Sequence, residues 1–266
     1  MKRSVTALAA LLIALAAGGC GMFADKGDVQ KEWGPQEFYN AARDELAGAN
    51  YGNAIKLFEQ LESKFPFGRF AQQAQIEIAY AYYKDGDSAQ CISSVERFVK
   101  QHPNHANVDY ALYLKGLALF KEDLGPLARV ISQDLADRDP KAARESFEVF
   151  KDLVTRFPDS RYTDDARARM AYLVDALARH EVHVAQYYLK RGAYVASANR
   201  AQGVLTRFPN APTRRDALDV MVEAYDRMGM TDLRDDAKRV LARNFPGDPL
   251  GEAGRNTTKP WWKFWQ

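Results

Sequence analysis

His180 and His183 are the first candidates for chemistry, because imidazole nitrogens bind zinc and Glu181 between them resembles the base of a metalloprotease helix. That motif needs histidines four residues apart, whereas these two are three apart, and no third ligand is evident. We therefore expect no metal site. Neither a glycine-rich phosphate loop nor a Gly-x-Ser-x-Gly nucleophile motif occurs, so we expect no enzyme.

Cys20 is a candidate for covalent lipidation of its thiol. An uncharged apolar stretch from Val5 to Ala17 precedes it, too short to span a bilayer and typical of a signal peptide. Small residues directly before Cys20 resemble a bacterial lipobox, although Ala17 stands where leucine is usual. We expect residues 1–19 to be removed and Cys20 to carry S-diacylglycerol and an N-acyl chain, with no other cofactor. The alternative is an ordinary secretory signal followed by an incidental cysteine.

The residues after Cys20 predict where the chain is held. Gly21, rather than Asp, follows the cysteine, which favours sorting of a bacterial lipoprotein to the outer membrane. Residues 20–35 are mostly polar and indicate a tether. Two or more acyl chains anchor a protein stably, so we expect a lipid anchor in the inner leaflet of the outer membrane.

Charge and cysteine content exclude two further classes of protein. The chain has 37 Lys and Arg against 35 Asp and Glu, and the excess corresponds to Lys2 and Arg3 of the leader. A nearly neutral mature chain is not expected to bind nucleic acid. Cys91, the only cysteine besides Cys20, lies in a helical pattern and is expected to be a small buried residue rather than part of a disulfide framework.

A short phrase that ends in proline recurs five times. The prolines are separated by 37, 55, 51 and 37 residues. Each closes an amphipathic helical pattern, as proline does because it cannot continue a helix. The phrases are Lys64-Phe65-Pro66, Gln101-His102-Pro103, Arg156-Phe157-Pro158, Arg207-Phe208-Pro209 and Asn244-Phe245-Pro246.

Small and apolar residues recur at fixed positions before the first four prolines and define one helical face. In the fifth phrase Leu233, Ala237 and Leu241 carry the apolar face instead. We expect this face to be buried against a partner helix. The recurring residues are Ala54, Phe58 and Leu61; Cys91, Val95 and Phe98; Ser146, Phe150 and Leu153; and Ser197, Ala201 and Val204.

An earlier helical pattern precedes each of these helices, and helix–turn–helix units that end in proline are the tetratricopeptide pattern. We therefore predict an all-α, right-handed solenoid of five tetratricopeptide-like helix pairs. Units 1 and 2 are expected over residues 36–105 and units 3 to 5 over 106–247, followed by a tail over 248–266. The third unit contains an insertion at about 122–139, and the fourth has a long helix from Asp165 to Arg191.

Several sequence stretches between about Phe38 and Phe245 are more specific than the general tetratricopeptide pattern. Together they resemble the BamD (ComL) family of outer-membrane protein assembly lipoproteins. The lipobox Ala17 and the length of the tail depart from that family. The stretches are Phe65 to Gly68, Gln72-Gln73, Ala79 to Lys84, Asn107 to Tyr110, Asp137 to Pro140, Gln186 to Tyr188, Arg191 to Ala193 and Asn199-Arg200.

The resemblance implies a non-catalytic scaffold of the β-barrel assembly machinery, facing the periplasm of a Gram-negative bacterium. Its amino-terminal half would receive the carboxy-terminal segment of unfolded outer-membrane proteins. Its carboxy-terminal half would bind BamA and accessory lipoproteins, with Arg191, Asn199 and Arg200 at the contact. The alternative is another tetratricopeptide lipoprotein, such as a pilotin that escorts a secretin, which would have no reason to carry the 191–200 stretch.

The tetratricopeptide register also predicts a client-binding surface. It places Ile76, Tyr80 and Tyr83 toward an open groove, where tyrosine offers apolar area with a polar tip. The alternative is that these residues are core. Phe65, Phe67 and Gly68 follow a helix end, where they either contact the client or form a structural turn.

Arg200 borders the packed face of its helix, so we expect its stem to lie along the stack and its guanidinium to reach outward; a solvated surface arginine is the alternative. The tail from Lys259 to Gln266 holds three of the four tryptophans. A membrane-interface anchor, a clamp on a partner and a disordered end are three interpretations that the sequence leaves open.

Overall fold

The computed structural model describes residues 33–124 and 140–246, with the side chains of 121–124 excepted. Cys20, the tail and most of the predicted insertion lie outside these ranges. Within them every regular element is an α-helix, and no strand occurs. No helix in the described ranges combines the length and apolar character needed to cross a membrane.

Ten helices in the described residues form five consecutive pairs. The all-α class and the five helix pairs are therefore confirmed, while the right-handed sense of the solenoid stays a prediction. The pairs are α1 (Pro35–Ala47) with α2 (Tyr51–Lys64), α3 (Arg69–Asp85) with α4 (Ser88–Gln101), α5 (Val108–Leu124) with α6 (Lys141–Arg156), α7 (Thr163–Lys190) with α8 (Tyr194–Arg207), and α9 (Arg214–Arg227) with α10 (Thr231–Asn244).

The longer spacings between prolines have two sources. The predicted insertion falls between α5 and α6, where α5 continues to Leu124 before the described residues resume at 140. In the fourth pair α7 is 28 residues long, in agreement with the long helix predicted there.

The chain divides into two compact units, and the division falls inside α3, between Ala81 and Tyr82. We call residues up to Ala81 the amino-terminal unit and residues from Tyr82 the carboxy-terminal unit. This structural division differs from the functional boundary expected between residues 105 and 106, which stays a prediction.

The second helix of every pair ends in the same way. The residue before each proline has φ between −126° and −132° and ψ between 59° and 67°, outside the α region. Proline disfavours the α region for the residue before it, which agrees with this departure from helical geometry. The amide of that residue still bonds the carbonyl four residues back, for example Phe65 N to Leu61 O at 2.8 Å. Proline thus stops each helix without leaving this amide unsatisfied.

A left-handed residue closes the turn inside four of the pairs. Gly86, Gly192 and Gly229 have φ of 91°, 77° and 72°, a region that glycine adopts without strain. In the first pair the same role falls to Ala49, with φ of 59°, while Asn50 precedes the first residue of α2. The third pair has its connection in residues outside the described ranges.

The predicted core face is buried in the first four pairs. All twelve residues named for it are at most 1% exposed, including Cys91. In the fifth pair Ala237 and Leu241 are buried, but Leu233 is 46% exposed. The prediction for Leu233 is wrong: it lies in the first turn of the last described helix, ahead of the two positions that reach the core.

Serine occupies the first buried position of two helices for a specific reason. Ser146 Oγ donates a hydrogen bond to Gly116 O at 3.0 Å, and Ser197 Oγ donates one to Ala185 O at 2.8 Å. Each serine therefore lies close to the backbone of the preceding helix and has its buried hydroxyl satisfied. A larger residue would separate the two helices.

Gly116 is where this close packing is most easily tested. A Cβ added there would lie 2.7 Å from Cζ of the fully buried Phe150 ring. We predict that Gly116→Ala lowers the free energy of unfolding by about 1–3 kcal/mol, because an overpacked core must shift.

Gly52→Ala in α2 is the matched control, since no heavy atom lies within 4 Å of the added Cβ. It should be neutral or stabilise by up to about 1 kcal/mol, because alanine favours the helix. Urea denaturation measures the free energy of unfolding of both variants. Equal denaturation midpoints for the two variants would contradict the close packing at Gly116.

Candidate interaction surfaces

Glu181 is a buried carboxylate in the middle of α7. Its side chain is only 3% exposed. A carboxylate at this depth is costly unless its charge is paired and its oxygens accept hydrogen bonds. The neighbouring helices α6 and α8 supply the partners.

Three arginines converge on Glu181. Arg200 Nη1 and Arg207 Nη2, both from α8, lie 3.0 and 3.1 Å from Glu181 Oε2. Arg144 Nη2, from α6, lies 3.9 Å from Oε1. The arginine side chains are about half exposed while the carboxylate is not. The cluster therefore carries two positive charges in excess of its one negative charge.

The arginines keep Glu181 ionised. Burial by itself raises the pKa of this carboxyl, but the hydrogen bonds from Arg207 and Arg200 outweigh it and hold the pKa below its ordinary value. A carboxylate with a lowered pKa stabilises the fold at pH values above its unfolded pKa. That contribution is lost as the pH falls through the folded value.

Arg200 thus differs from both alternatives that the sequence left open. Its guanidinium neither extends freely outward nor is only solvated, because it is anchored on Glu181. Asn199, next to it, is exposed. Arg191 is exposed at the end of α7, where its Nε lies 3.3 Å from the hydroxyl of Tyr187, a ring that is itself 55% exposed.

In the amino-terminal unit, the turn after α2 presents an aromatic side chain to solvent. Phe67 is 91% exposed, the largest value among the exposed large hydrophobic residues. Gly68 beside it has φ of 98°, so glycine is required for the turn. Phe65 is half-buried, with its ring centroid 6.4 Å from that of Phe38. The turn is therefore structural at Phe65 and Gly68 and open for contact at Phe67.

The predicted groove residues of α3 do not share one environment. Ile76 is 2% exposed, so the prediction that it faces an open groove is wrong and it belongs to the core. Tyr80 and Tyr83 are each half-buried, and both keep part of their surface available.

The structural roles of two buried carboxylates were missed from sequence. Glu77, 7% exposed in α3, accepts hydrogen bonds from Arg43 at 2.8 Å and from Tyr39 at 3.2 Å. Burial, and then the charge of Glu77, raise the pKa of Tyr39. Glu181 drew notice only as part of a zinc-like motif. The sequence signal that could have revealed these buried carboxylates is a single acidic residue at a core position of an amphipathic helix, together with arginines on other helices.

Metal binding finds no support at the histidines beside Glu181. In residues 33–120 and 140–246, no group of three His, Cys, Asp or Glu side chains is placed to hold a metal ion. Glu181 itself is occupied by its arginines.

Comparison with known proteins decides the family. A family of outer membrane lipoproteins, YfiO, matches residues 31–240. The outer membrane protein assembly factor BamD of Neisseria meningitidis serogroup A is 48% identical over 238 residues, which is 89% of this chain and 89% of that protein. The chain belongs to the BamD family. The BamD of Vibrio cholerae is more distant, at 34% identity over 82% of this chain and 90% of its own length.

Solved structures resemble this BamD-family chain more loosely. A crystal structure of MamA gives a TM-score of 0.38 at 13% identity, covering 76% of this chain and 91% of MamA. A kinesin light chain with tetratricopeptide-like repeats from Podosopora anserina gives a TM-score of 0.36 at 14% identity, covering 79% and 95% of the two chains.

The anchoring of Arg200 leads to a stability prediction. Arg200→Glu places a second carboxylate beside buried Glu181, so we expect the free energy of unfolding to fall by about 1–3 kcal/mol at neutral pH. The difference in the free energy of unfolding between Arg200→Glu and wild type should become smaller as the pH falls below about 4.5, because the carboxyl groups then take up protons.

Arg191→Glu is the control, because Arg191 is exposed and has no contact with Glu181. Its effect should stay within about 0.5 kcal/mol. Urea denaturation of both variants at several pH values tests the pair. If Arg200→Glu unfolds at the same urea concentration as Arg191→Glu, Arg200 is not anchored on Glu181.

Proposed function

We propose that this chain is a non-catalytic assembly factor for outer-membrane proteins and works as a scaffold in the β-barrel assembly machinery. The observation that carries the proposal is membership of the BamD family along most of the chain. The paired helices support a binding role, since such repeats offer extended surface to peptides and other helices. A secretin pilotin is not favoured, because the BamD relatives of Neisseria and Vibrio are named as assembly factors.

The client surface in this proposal lies in the amino-terminal unit around Phe67. An unfolded barrel strand is an extended chain with alternating apolar residues and unpaired backbone groups. An exposed phenylalanine on a turn offers such a chain apolar area without a fixed hydrogen-bond pattern. Phe65, Gly68 and Tyr80 stay in the proposed client surface. Ile76 leaves it because it is buried, and Tyr83 leaves it because it belongs to the carboxy-terminal unit.

The partner surface in this proposal lies on the carboxy-terminal unit and would bind BamA through Arg191, Asn199 and Arg200. Arg200 engages Glu181 through one amino group, while almost half of its side chain is exposed. A guanidinium carries five N–H donors, so a second carboxylate can be held beside the internal one. The excess positive charge of the cluster favours an acidic partner surface.

The location in this proposal is the periplasmic side of the outer membrane, through lipid chains on Cys20. The BamD relatives are named for the outer membrane, which supports this placement. Accessory lipoproteins would join the same complex.

Co-purification tests the proposed complex. The tagged full-length protein is purified from detergent-solubilised outer membranes, and the proteins recovered with it are identified by mass spectrometry. We expect BamA as a stoichiometric partner, absent from a parallel purification of the untagged protein. Recovery of a secretin in place of BamA would support the pilotin alternative and overturn the proposal.

Peptide binding tests the client surface. We predict that Phe67→Ser weakens binding of a barrel-derived carboxy-terminal peptide about tenfold or more, as loss of an aromatic hot spot does. Because Phe67 is 91% exposed, helix content and melting temperature should not change. Fluorescence anisotropy of a labelled peptide gives the dissociation constants.

Val195→Ser is the control, since Val195 is also a well-exposed apolar residue, at 61%, but lies in the other unit. It should bind the peptide like wild type. Equal weakening by both substitutions would show that the peptide recognises exposed apolar surface in general rather than the turn at Phe67.

A further inference from the structure

A cavity of about 560 Å³ lies in the carboxy-terminal unit, between the end of α7, the start of α8 and one stripe of α9. Its wall combines apolar and aromatic surface with three carboxylates, and Lys190 and Arg227 lie at the same cavity. None of these residues belongs to the proposed client and partner surfaces. The wall residues that bear on binding are Leu189, Tyr194, Asp216, Asp219 and Glu223.

Asp216 is the carboxylate of this cavity whose charge is least compensated. Glu223 accepts a hydrogen bond from Arg227 at 3.4 Å, and Asp219 lies 3.8 Å from Arg215. Among the residues that the structure describes, no side chain hydrogen-bonds or ion-pairs with Asp216. Burial, and then the charge of Asp219, raise the pKa of Asp216. A cation placed in the cavity would stabilise this carboxylate.

The end of the chain has the complementary chemistry. Residues 259–266, which we call the aromatic tail, contain three Trp, one Phe and two Lys and no acidic residue. Tryptophan and phenylalanine bury large apolar area, and lysine supplies the cation. The aromatic tail lies outside the described residues, and neither proposed surface uses it.

Chain connectivity allows the aromatic tail to reach the cavity. Helices α9 and α10 are joined by a three-residue turn, so the end of α10 returns toward the start of α9, where Asp216 lies. Twelve residues, 247–258, separate the last described residue from the aromatic tail. They span at most about 40 Å when extended, whereas neighbouring helix axes lie about 8–10 Å apart. Covalent linkage through a short segment gives an effective concentration on the order of millimolar.

We infer that the aromatic tail docks in this cavity, with a lysine ammonium beside Asp216 and indole rings against Leu189 and Tyr194. The tail then covers the stripe of α9 that carries Asp216, Asp219 and Glu223. A partner that uses this stripe must first displace the tail. The inference does not depend on the proposed function.

Thiol cross-linking in native membranes tests the docking with the full-length protein. One cysteine is introduced at Gln186 on the cavity wall and one at Gln266, which leaves every Trp and Lys of the tail in place. Cys91 is fully buried and does not compete. A short bis-maleimide should give an intramolecular product several-fold faster than in the matched control, which pairs Gln266 with the exposed Glu148 of α6.

Charge substitutions make the test specific. Asp216→Asn, or Lys259→Gln together with Lys263→Gln, should lower the yield for the cavity pair to that of the control pair, with circular dichroism unchanged. Equal yields for the two cysteine pairs in the parent protein would overturn the inference. Cross-linked dimers or cross-links to another protein would also overturn the inference. The same holds if the membrane protects the tail cysteine from a water-soluble maleimide equally in the parent protein and in Asp216→Asn.

Discussion

The proline that follows the second helix of each pair determines where that helix ends. It also determines how the side chains around the helix end are placed. Because the residue before it cannot stay in the α region, each of these helices stops at the same backbone geometry. The aromatic side chain at that position then folds back on its own unit: Phe208 packs against the core of the carboxy-terminal unit, and Phe65 lies near Phe38. The residue one position earlier, Arg207, is placed in the last turn of α8, from which it reaches Glu181. A restriction on one dihedral pair thus positions the charge that pairs with Glu181.

Local signals explain why the helices and their buried faces could be predicted, and long-range contacts explain the failures. Phe58, Phe98 and Phe150 follow from helical periodicity and a proline at fixed distance, because both act within one helix. Ile76 was predicted to face an open groove and is buried, whereas Leu233 was predicted to be buried and is exposed. Their environments depend on which helix lies alongside, and sequence spacing does not specify that. The role of Glu181 depends on side chains from two other helices, 19 to 37 positions away in the sequence, so its apparent motif pointed to the wrong chemistry.

Stability and binding draw on the same side chains in the arginine cluster. Removing either partner from a buried ion pair leaves an uncompensated charge, so Glu181 and Arg200 cannot be changed independently. Arg144, at 3.9 Å, is held more loosely than the two arginines of α8. Substitutions at Arg144 therefore separate attraction of a partner from stability of the fold better than substitutions at Arg200. The same reasoning applies to Glu77 in the amino-terminal unit, where Arg43 and Tyr39 share one carboxylate oxygen.

The two units expose different chemistry, and the difference matches two kinds of recognition. The amino-terminal unit presents an isolated aromatic ring at Phe67, and apolar contacts tolerate many partner sequences because they impose little direction. The carboxy-terminal unit presents guanidinium groups held in place by a buried carboxylate, and such groups demand an acceptor at a defined position. In the proposed function, the protein receives many unfolded chains and docks on one constant partner, so it needs both kinds of surface. Placing them in separate compact units allows the tolerant surface to change without disturbing the specific one, since Phe67 contributes nothing to the ion-pair network around Glu181.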